Sequence, residues 1–201
     1  MMALGIYNED CVTGAQKHFP DGRVNLLIAD PPFGLGESSF GHQYNRNDNH
    51  IIEGYTEAPD DYAHFSLAWL TEAKRVLKAN GSMYIISGWN NLRHIENALA
   101  ALDMFVINKI IWKYNFGVYT KQKYVSSHYE ILYVKKSKKA KVTFHPQQNG
   151  NQKDTKAQYR GLEDVWHINK EYRRGKTKNQ NKLPKALVEK MILAFPFCCF
   201  A

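Results

Sequence analysis

The sequence predicts an α/β protein built on a mostly parallel sheet, and three observations carry that expectation. Short β-branched and leucine-rich runs alternate with segments whose apolar residues recur every three or four positions. The first run is apolar throughout rather than alternating, as strands covered on both faces are. It ends in Asp30-Pro31-Pro32, and two prolines cannot continue a central strand, so Asp30 is placed at a strand's carboxyl end.

Val24–Ala29 (VNLLIA), after the turn Pro20-Asp21-Gly22, is that first strand. Over residues 59–80, Tyr62, Phe65, Trp69, Ala73, Val76 and Leu77 share one side of a helical period. Pro59 and two acids stand in front and Gly81 behind, which predicts one long amphipathic helix. Residues 82–87 (SMYIIS) read as a short strand. Asn90 then precedes a second helix through Leu92, Ile95, Leu99 and Leu102. Residues 105–112 and 129–134 read as further strands, and a last helix starts near Pro184 with Leu187, Val188, Met191 and Ile192 on one side. In such an alternation ligands bind beyond the carboxyl ends of the strands, where Asp30 is placed.

Two stretches interrupt the pattern. Residues 34–54 are polar, glycine-rich and aromatic-studded, too long for an ordinary connection, and are expected to form a mobile loop over a site. Residues 135–182 hold KKSKKAK and Arg173-Arg174 with few periodic apolar positions, so a basic, irregular insertion is expected there. The chain accordingly divides into an α/β region (1–134), a basic segment (135–182) and a final helix with an apolar tail (183–201).

Of 201 residues, 44% are hydrophobic and 23% charged, which excludes a disordered, collagenous or coiled-coil chain. No run approaches the roughly 18 apolar residues of a membrane span, and the N-terminus lacks a basic region followed by an apolar stretch. A cytoplasmic protein with no membrane partner is expected. Cys11, Cys198 and Cys199 lack the spacing of a disulfide framework or zinc clamp, and His42, His50 and His64 lack ligand spacing, so no metal is expected. The net charge of +8 is unevenly spread: residues 1–100 hold 7 Lys+Arg against 12 Asp+Glu, residues 101–201 hold 20 against 7. Such asymmetry suits a chain that holds a polyanion with one part and does something else with the other; a solvated lysine-rich face explains it equally well.

Asp30-Pro31-Pro32-Phe33 places a carboxylate, a rigid turn with a backbone carbonyl and a large ring where α/β proteins keep their sites, the parts needed to hold a planar ring bearing an amine. The segment ADPPFGLG resembles the D/N/S-P-P-Y/F motif of amino-group DNA methyltransferases, which methylate adenine N6 or cytosine N4 from S-adenosylmethionine. IYNEDC resembles the opening segment of that family's circularly permuted subclass. WLTEAKRVLKANGSMYIISG, IIWKYNFG, HYEILYVKK and NQNKLPKALVEKMILA resemble its later elements in the same order.

The resemblance implies a Rossmann-like, S-adenosylmethionine-dependent methyltransferase sheet, circularly permuted. It implies that Asp30 and the Pro31 carbonyl accept the two hydrogens of the target amine, with Pro32 completing the turn and Phe33 stacking on the base. Because a paired base cannot reach such a pocket, the target nucleotide must be flipped out of the duplex. Transfer is direct, so no cysteine nucleophile is needed. The cofactor falls to Asp10, Cys11, Asp30 and Lys182, and double-stranded DNA to the basic segment, with Lys135, Lys136, Lys138, Lys139, Arg173 and Arg174 as phosphate contacts. Asp at the first motif position favours adenine, within a restriction-modification system; cytosine N4 is the alternative.

After Ala194 the resemblance stops: family members continue into a glycine-rich cofactor loop, whereas this sequence reads FPFCCFA. The expectation is an incomplete sheet. It leaves open an active enzyme, an inactive remnant acting at most as a DNA-binding module, and an assembly, either a homodimer or a complex whose second chain supplies the missing half.

Overall fold

The computed structural model of the chain describes residues 5–33, 59–115, 117, 119, 121–145, 162–171 and 182–195. The expected loop at 34–54, Arg173, Arg174, Cys198 and Cys199 lie outside the described residues. The elements run α1 (Cys11–His18), β1 (Val24–Ala29), α2 (Tyr62–Val76), β2 (Leu77–Ser87), α3 (Leu92–Ala101), β3 (Phe105–Lys113), β4 (His128–Lys135), β5 (Val165–His167) and α4 (Lys185–Leu193).

The strands form one sheet in the order β1-β2-β4-β3-β5. β1 pairs with β2 in parallel, as β5 does with β3, while β4 lies antiparallel between β2 and β3. The sheet is therefore mixed, with four strands sharing one direction and β4 opposed. α3 carries the chain across the sheet from β2 to β3, and the gap so left is filled when the chain folds straight back as β4.

Alternation along the strands builds a core on each face. Met83 and Ile85 of β2 pack with Trp69, Leu70 and Ala73 of α2 and with Ile95 and Leu99 of α3. Tyr84 and Ile86 face the other way, into a cluster with Trp112, Ile131 and Tyr133 that Leu187 and Met191 of α4 cover. The result is a helix–sheet–helix sandwich, in which each fully buried leucine or isoleucine stabilises by about 1.5–3 kcal/mol.

The boundary between helix and strand at 76–82 differs from the expected one. α2 ends at Val76, and Leu77 already lies in β2, opposite Val24. The Pro20-Asp21-Gly22 turn fixes this end: the amides of Gly22 and Arg23 donate to the Arg75 and Val76 carbonyls at 3.0 and 2.8 Å. Gly81 acts by close approach and not as a helix stop, since a Cβ there would lie 2.9 Å from the Val24 carbonyl oxygen. β1, expected to be covered on both faces, is half-buried, because among the described residues β2 is its one neighbour in the sheet. Within 135–182, Val165–His167 joins the sheet as β5, and the Trp112 indole donates to the Ile168 carbonyl at 2.8 Å just beyond it. Among the described residues no helix is long and apolar enough to cross a membrane.

Candidate functional site

With β1, β2, β3 and β5 aligned and β4 opposed, one edge of the sheet collects the carboxyl ends of β1, β2, β3 and β5 and the start of β4. Asp30 follows β1 there, Gly88 follows β2, Tyr114 follows β3, Tyr129 is the second residue of β4, and Lys170 comes shortly after β5.

The turn after Asp30 is held at two carbonyls. The Tyr62 hydroxyl donates to the Pro32 oxygen at 2.8 Å, and the Asn91 amide donates to the Phe33 oxygen at 2.6 Å. The expected cap on α3 was Asn90; the N-cap position belongs to Asn91, whose side chain makes no capping bond and serves the turn instead. Asp30 is exposed on its outer side. Protein packed behind the carboxyl displaces enough water to push it up to about 6, while the Lys170 ammonium pulls the other way.

An aromatic wall adjoins the turn. Phe33 meets Tyr129 at 5.2 Å between ring centroids, and Tyr129 meets Tyr114 at 5.3 Å and Trp112 at 5.5 Å. The Lys170 ammonium lies over both tyrosines, 5.1 Å from the Tyr114 centroid and 5.2 Å from that of Tyr129. Tyr114, Tyr129 and Lys170 escaped the sequence reading. Their residue types carry no motif; only the antiparallel insertion of β4 brings the start of one strand to the ends of the others.

The remaining expected residues fall in two places. Asp10 is the N-cap of α1: its Oδ1 accepts from the Val12 and Thr13 amides at 3.1 and 2.9 Å and from the Thr13 hydroxyl at 3.1 Å. Those bonds, that from the Thr13 amide foremost, hold its carboxyl below the ordinary value. Cys11 opens the helix, and desolvation together with the Asp10 charge pushes its thiol up, the reverse of what activates a nucleophile. Lys182 pairs with Glu171 at 3.5 Å, next in sequence to Lys170, and Glu171 also accepts from the Lys185 amide at 2.7 Å.

The lysine cluster goes to the other edge. Lys135 ends β4 and stands opposite Ser82, midway along β2, and Phe105, the first residue of β3. From Tyr129 to Lys135 the strand covers about 20 Å at ~3.4 Å per residue. Lys135 donates to the Ala140 carbonyl at 3.0 Å and Lys136 to the Leu77 carbonyl at 2.7 Å, while Lys138 and Lys139 are exposed beyond them. The structure does not bring these four lysines to the edge that carries Asp30.

The chain shares sequence and fold with known proteins. The chain is 26% identical to the type II methyltransferase M.HinfI of Haemophilus influenzae over 94% of its own length and 55% of that protein. It is 30% identical to the type II methyltransferase M.HpaI of Haemophilus parainfluenzae over 90% of its length and 56% of that protein. It thus spans little more than half the length of these curated relatives. Among solved structures, the cytosine-N4-specific PvuII DNA methyltransferase covers 95% of the chain at a TM-score of 0.68 and 15% identity. The M1.HpyAVI complex with S-adenosylmethionine covers 91% at 0.56 and 20% identity. The family model for DNA methylases that act on N6 or N4 amino groups matches residues 24–196, and the chain belongs to that family.

Proposed function

We propose that this chain carries the catalytic turn of a DNA methyltransferase that transfers a methyl group from S-adenosylmethionine to adenine N6, as the modification activity of a restriction-modification system. One observation carries the reading: Asp30 stands at the open edge of the sheet on a proline turn whose two following carbonyls, Pro32 and Phe33, are engaged by Tyr62 and Asn91. With the Pro32 and Phe33 carbonyls engaged, Asp30 and the Pro31 oxygen are the acceptors that residues 30–33 offer to an amine.

An exocyclic amine is a weak nucleophile because its lone pair is delocalised into the ring. Two acceptors on its hydrogens favour a pyramidal nitrogen and stabilise the positive charge that grows there. A carboxyl near 6 is largely ionised at neutral pH and so accepts. Phe33, backed by Tyr129, offers the ring on which an extruded base stacks, offsetting part of the few kcal/mol that unstacking costs. S-adenosylmethionine, when bound, supplies an electrophilic methyl group. Asp10 fits a cofactor role, being an exposed carboxylate kept ionised by its bonds to α1, and so does Lys182, a cation at the same end as Lys170. The family match, the type II methyltransferases among the relatives and the motif's aspartate support the reading.

Incubation of the purified chain with unmethylated mixed-sequence duplex and S-adenosylmethionine, followed by mass spectrometry of the nucleosides, tests it. N6-methyladenine that disappears in Asp30→Ala is the expected result. N4-methylcytosine corrects the base, and no methylated nucleoside removes the reading for this chain alone.

A further inference from the structure

The lysine-rich stretch that composition assigns to DNA stands at the wrong edge of the sheet, about 20 Å from Tyr129 along β4. If the target base is delivered to Asp30, as the proposed function has it, the duplex must lie across the opposite edge. The connection from β3 to β4 leaves from that edge. Its root is closed by the Tyr114 amide, which donates to the Ser127 carbonyl at 3.0 Å, and by Lys113, whose ammonium donates to the Ser127 hydroxyl at 2.8 Å. Tyr114 and Tyr129, which flank the root, belong to the aromatic wall beside Phe33.

The two legs of the connection touch again further out. A Cβ on Gly117 would meet the Val125 side chain at 2.2 Å and the Ser126 carbonyl oxygen at 2.7 Å, so only glycine lets the legs approach this closely. Among the described residues between them, Tyr119 and 121–124 are all exposed. Tyr119 is 77% exposed and Tyr124 98% exposed, with Lys121 and Lys123 exposed between them. Residues 115–127 contain no acid. Tyrosines spread over open solvent gain nothing from the core, whereas aromatic rings interleaved with cations are the chemistry that grips nucleic acid, rings against bases and ammonium groups against phosphates.

We propose that the β3–β4 connection, through Lys121, Lys123, Tyr119 and Tyr124, is the surface that holds the DNA duplex around the base presented to Asp30. The lysines neutralise phosphates on either side of the target nucleotide, and the tyrosines press on the base stack that the extruded base has left.

The test is equilibrium binding of a labelled mixed-sequence duplex to the full chain at several salt concentrations. Lys121→Ala/Lys123→Ala should weaken binding about tenfold or more at low salt and lower the slope of log affinity against log salt by about 2. Tyr119→Ala/Tyr124→Ala should weaken it about tenfold with the slope kept. Gly117→Val should weaken it by spreading the legs. An unchanged thermal midpoint of the two loop double variants shows that their substituted side chains carry no fold. A slope that drops in Lys138→Ala/Lys139→Ala and not in Lys121→Ala/Lys123→Ala would overturn the proposal, as would a wild-type chain that binds no duplex. Methyl transfer is read separately. Loop-dependent binding without transfer defeats the proposed reaction and keeps the surface; transfer with loop-independent binding defeats the surface alone.

Discussion

The hydroxyl of Tyr62, the first residue of α2, donates to the carbonyl of Pro32 at 2.8 Å, so the helix that follows the turn also holds it. Tyr62 is buried, packed edge-on against Phe65 at 5.5 Å between centroids. Tyr62→Phe keeps the ring and removes the donor, leaving a part-buried carbonyl unpaired. A loss of about 1 kcal/mol in unfolding free energy is expected. The single-turnover rate should fall about tenfold with the apparent affinities for cofactor and DNA unchanged, and an unaltered rate would deny Tyr62 a positioning role.

Ionised Asp30 carries a stability cost. Its carboxyl is raised from 3.8 to about 6 in the folded chain, so the folded state binds the proton more tightly than the unfolded one does. Ionised Asp30 therefore costs stability above about pH 6, and the cost fades as the pH falls through 6 toward 4. Asp30→Asn should abolish transfer and stabilise the chain at pH 7. Because the residue is open to water on one side, the gain is at most about 1 kcal/mol. Denaturant unfolding at pH 7 and pH 4 checks the sign, the difference between the two proteins shrinking at the lower pH.

Asp30 was legible in the sequence because its position follows from local chemistry: an apolar run followed by two prolines has one place to end. The helix boundary at Val76 was not, since Val76 and Leu77 satisfy a final helical turn and a first strand residue equally well. What decides is a distant turn, whose Gly22 and Arg23 amides take the last helix carbonyls. The lysines of KKSKKAK were legible as charge and not as location. Which edge they occupy depends on β4 running against its neighbours, a fact of strand pairing that no residue in the cluster encodes. For the same reason Tyr114, Tyr129 and Lys170 were invisible until the sheet order put them together.

Asp10 has a structural duty that a cofactor role must be separated from. Asp10→Ala removes both the carboxylate and the cap of α1, at a cost of about 1 kcal/mol. Asp10→Ser keeps an oxygen that can accept from the Val12 and Thr13 amides while removing the charge. If the carboxylate binds the cofactor, Asp10→Ser should keep the thermal midpoint of the wild type yet bind S-adenosylmethionine at least about tenfold more weakly by calorimetry. Equal cofactor binding in wild type and Asp10→Ser would leave Asp10 as a cap alone.

Burial raises the Asp30 carboxyl and the Lys170 charge restrains the rise. The charged and titratable groups at this edge include Lys113 at the end of β3, His128 at the start of β4, and Lys170 and Glu171 after β5. Lys170 is the one that opposes the burial of Asp30. With Asp30 as the acceptor proposed above, it must be ionised, and the rate should fall on the acid side with a midpoint near 6. Lys170→Met keeps an unbranched chain against Tyr114 and Tyr129 and removes the charge, so the Asp30 carboxyl rises further and the acid limb moves to higher pH. The expected loss is severalfold at pH 6 and smaller at pH 8, where Asp30 is ionised in both proteins. Lys170→Arg should bring the limb back, since a guanidinium supplies the same charge over the same rings. A loss that is equal at every pH would mean that Lys170 acts by packing on the tyrosines and not through its charge on Asp30.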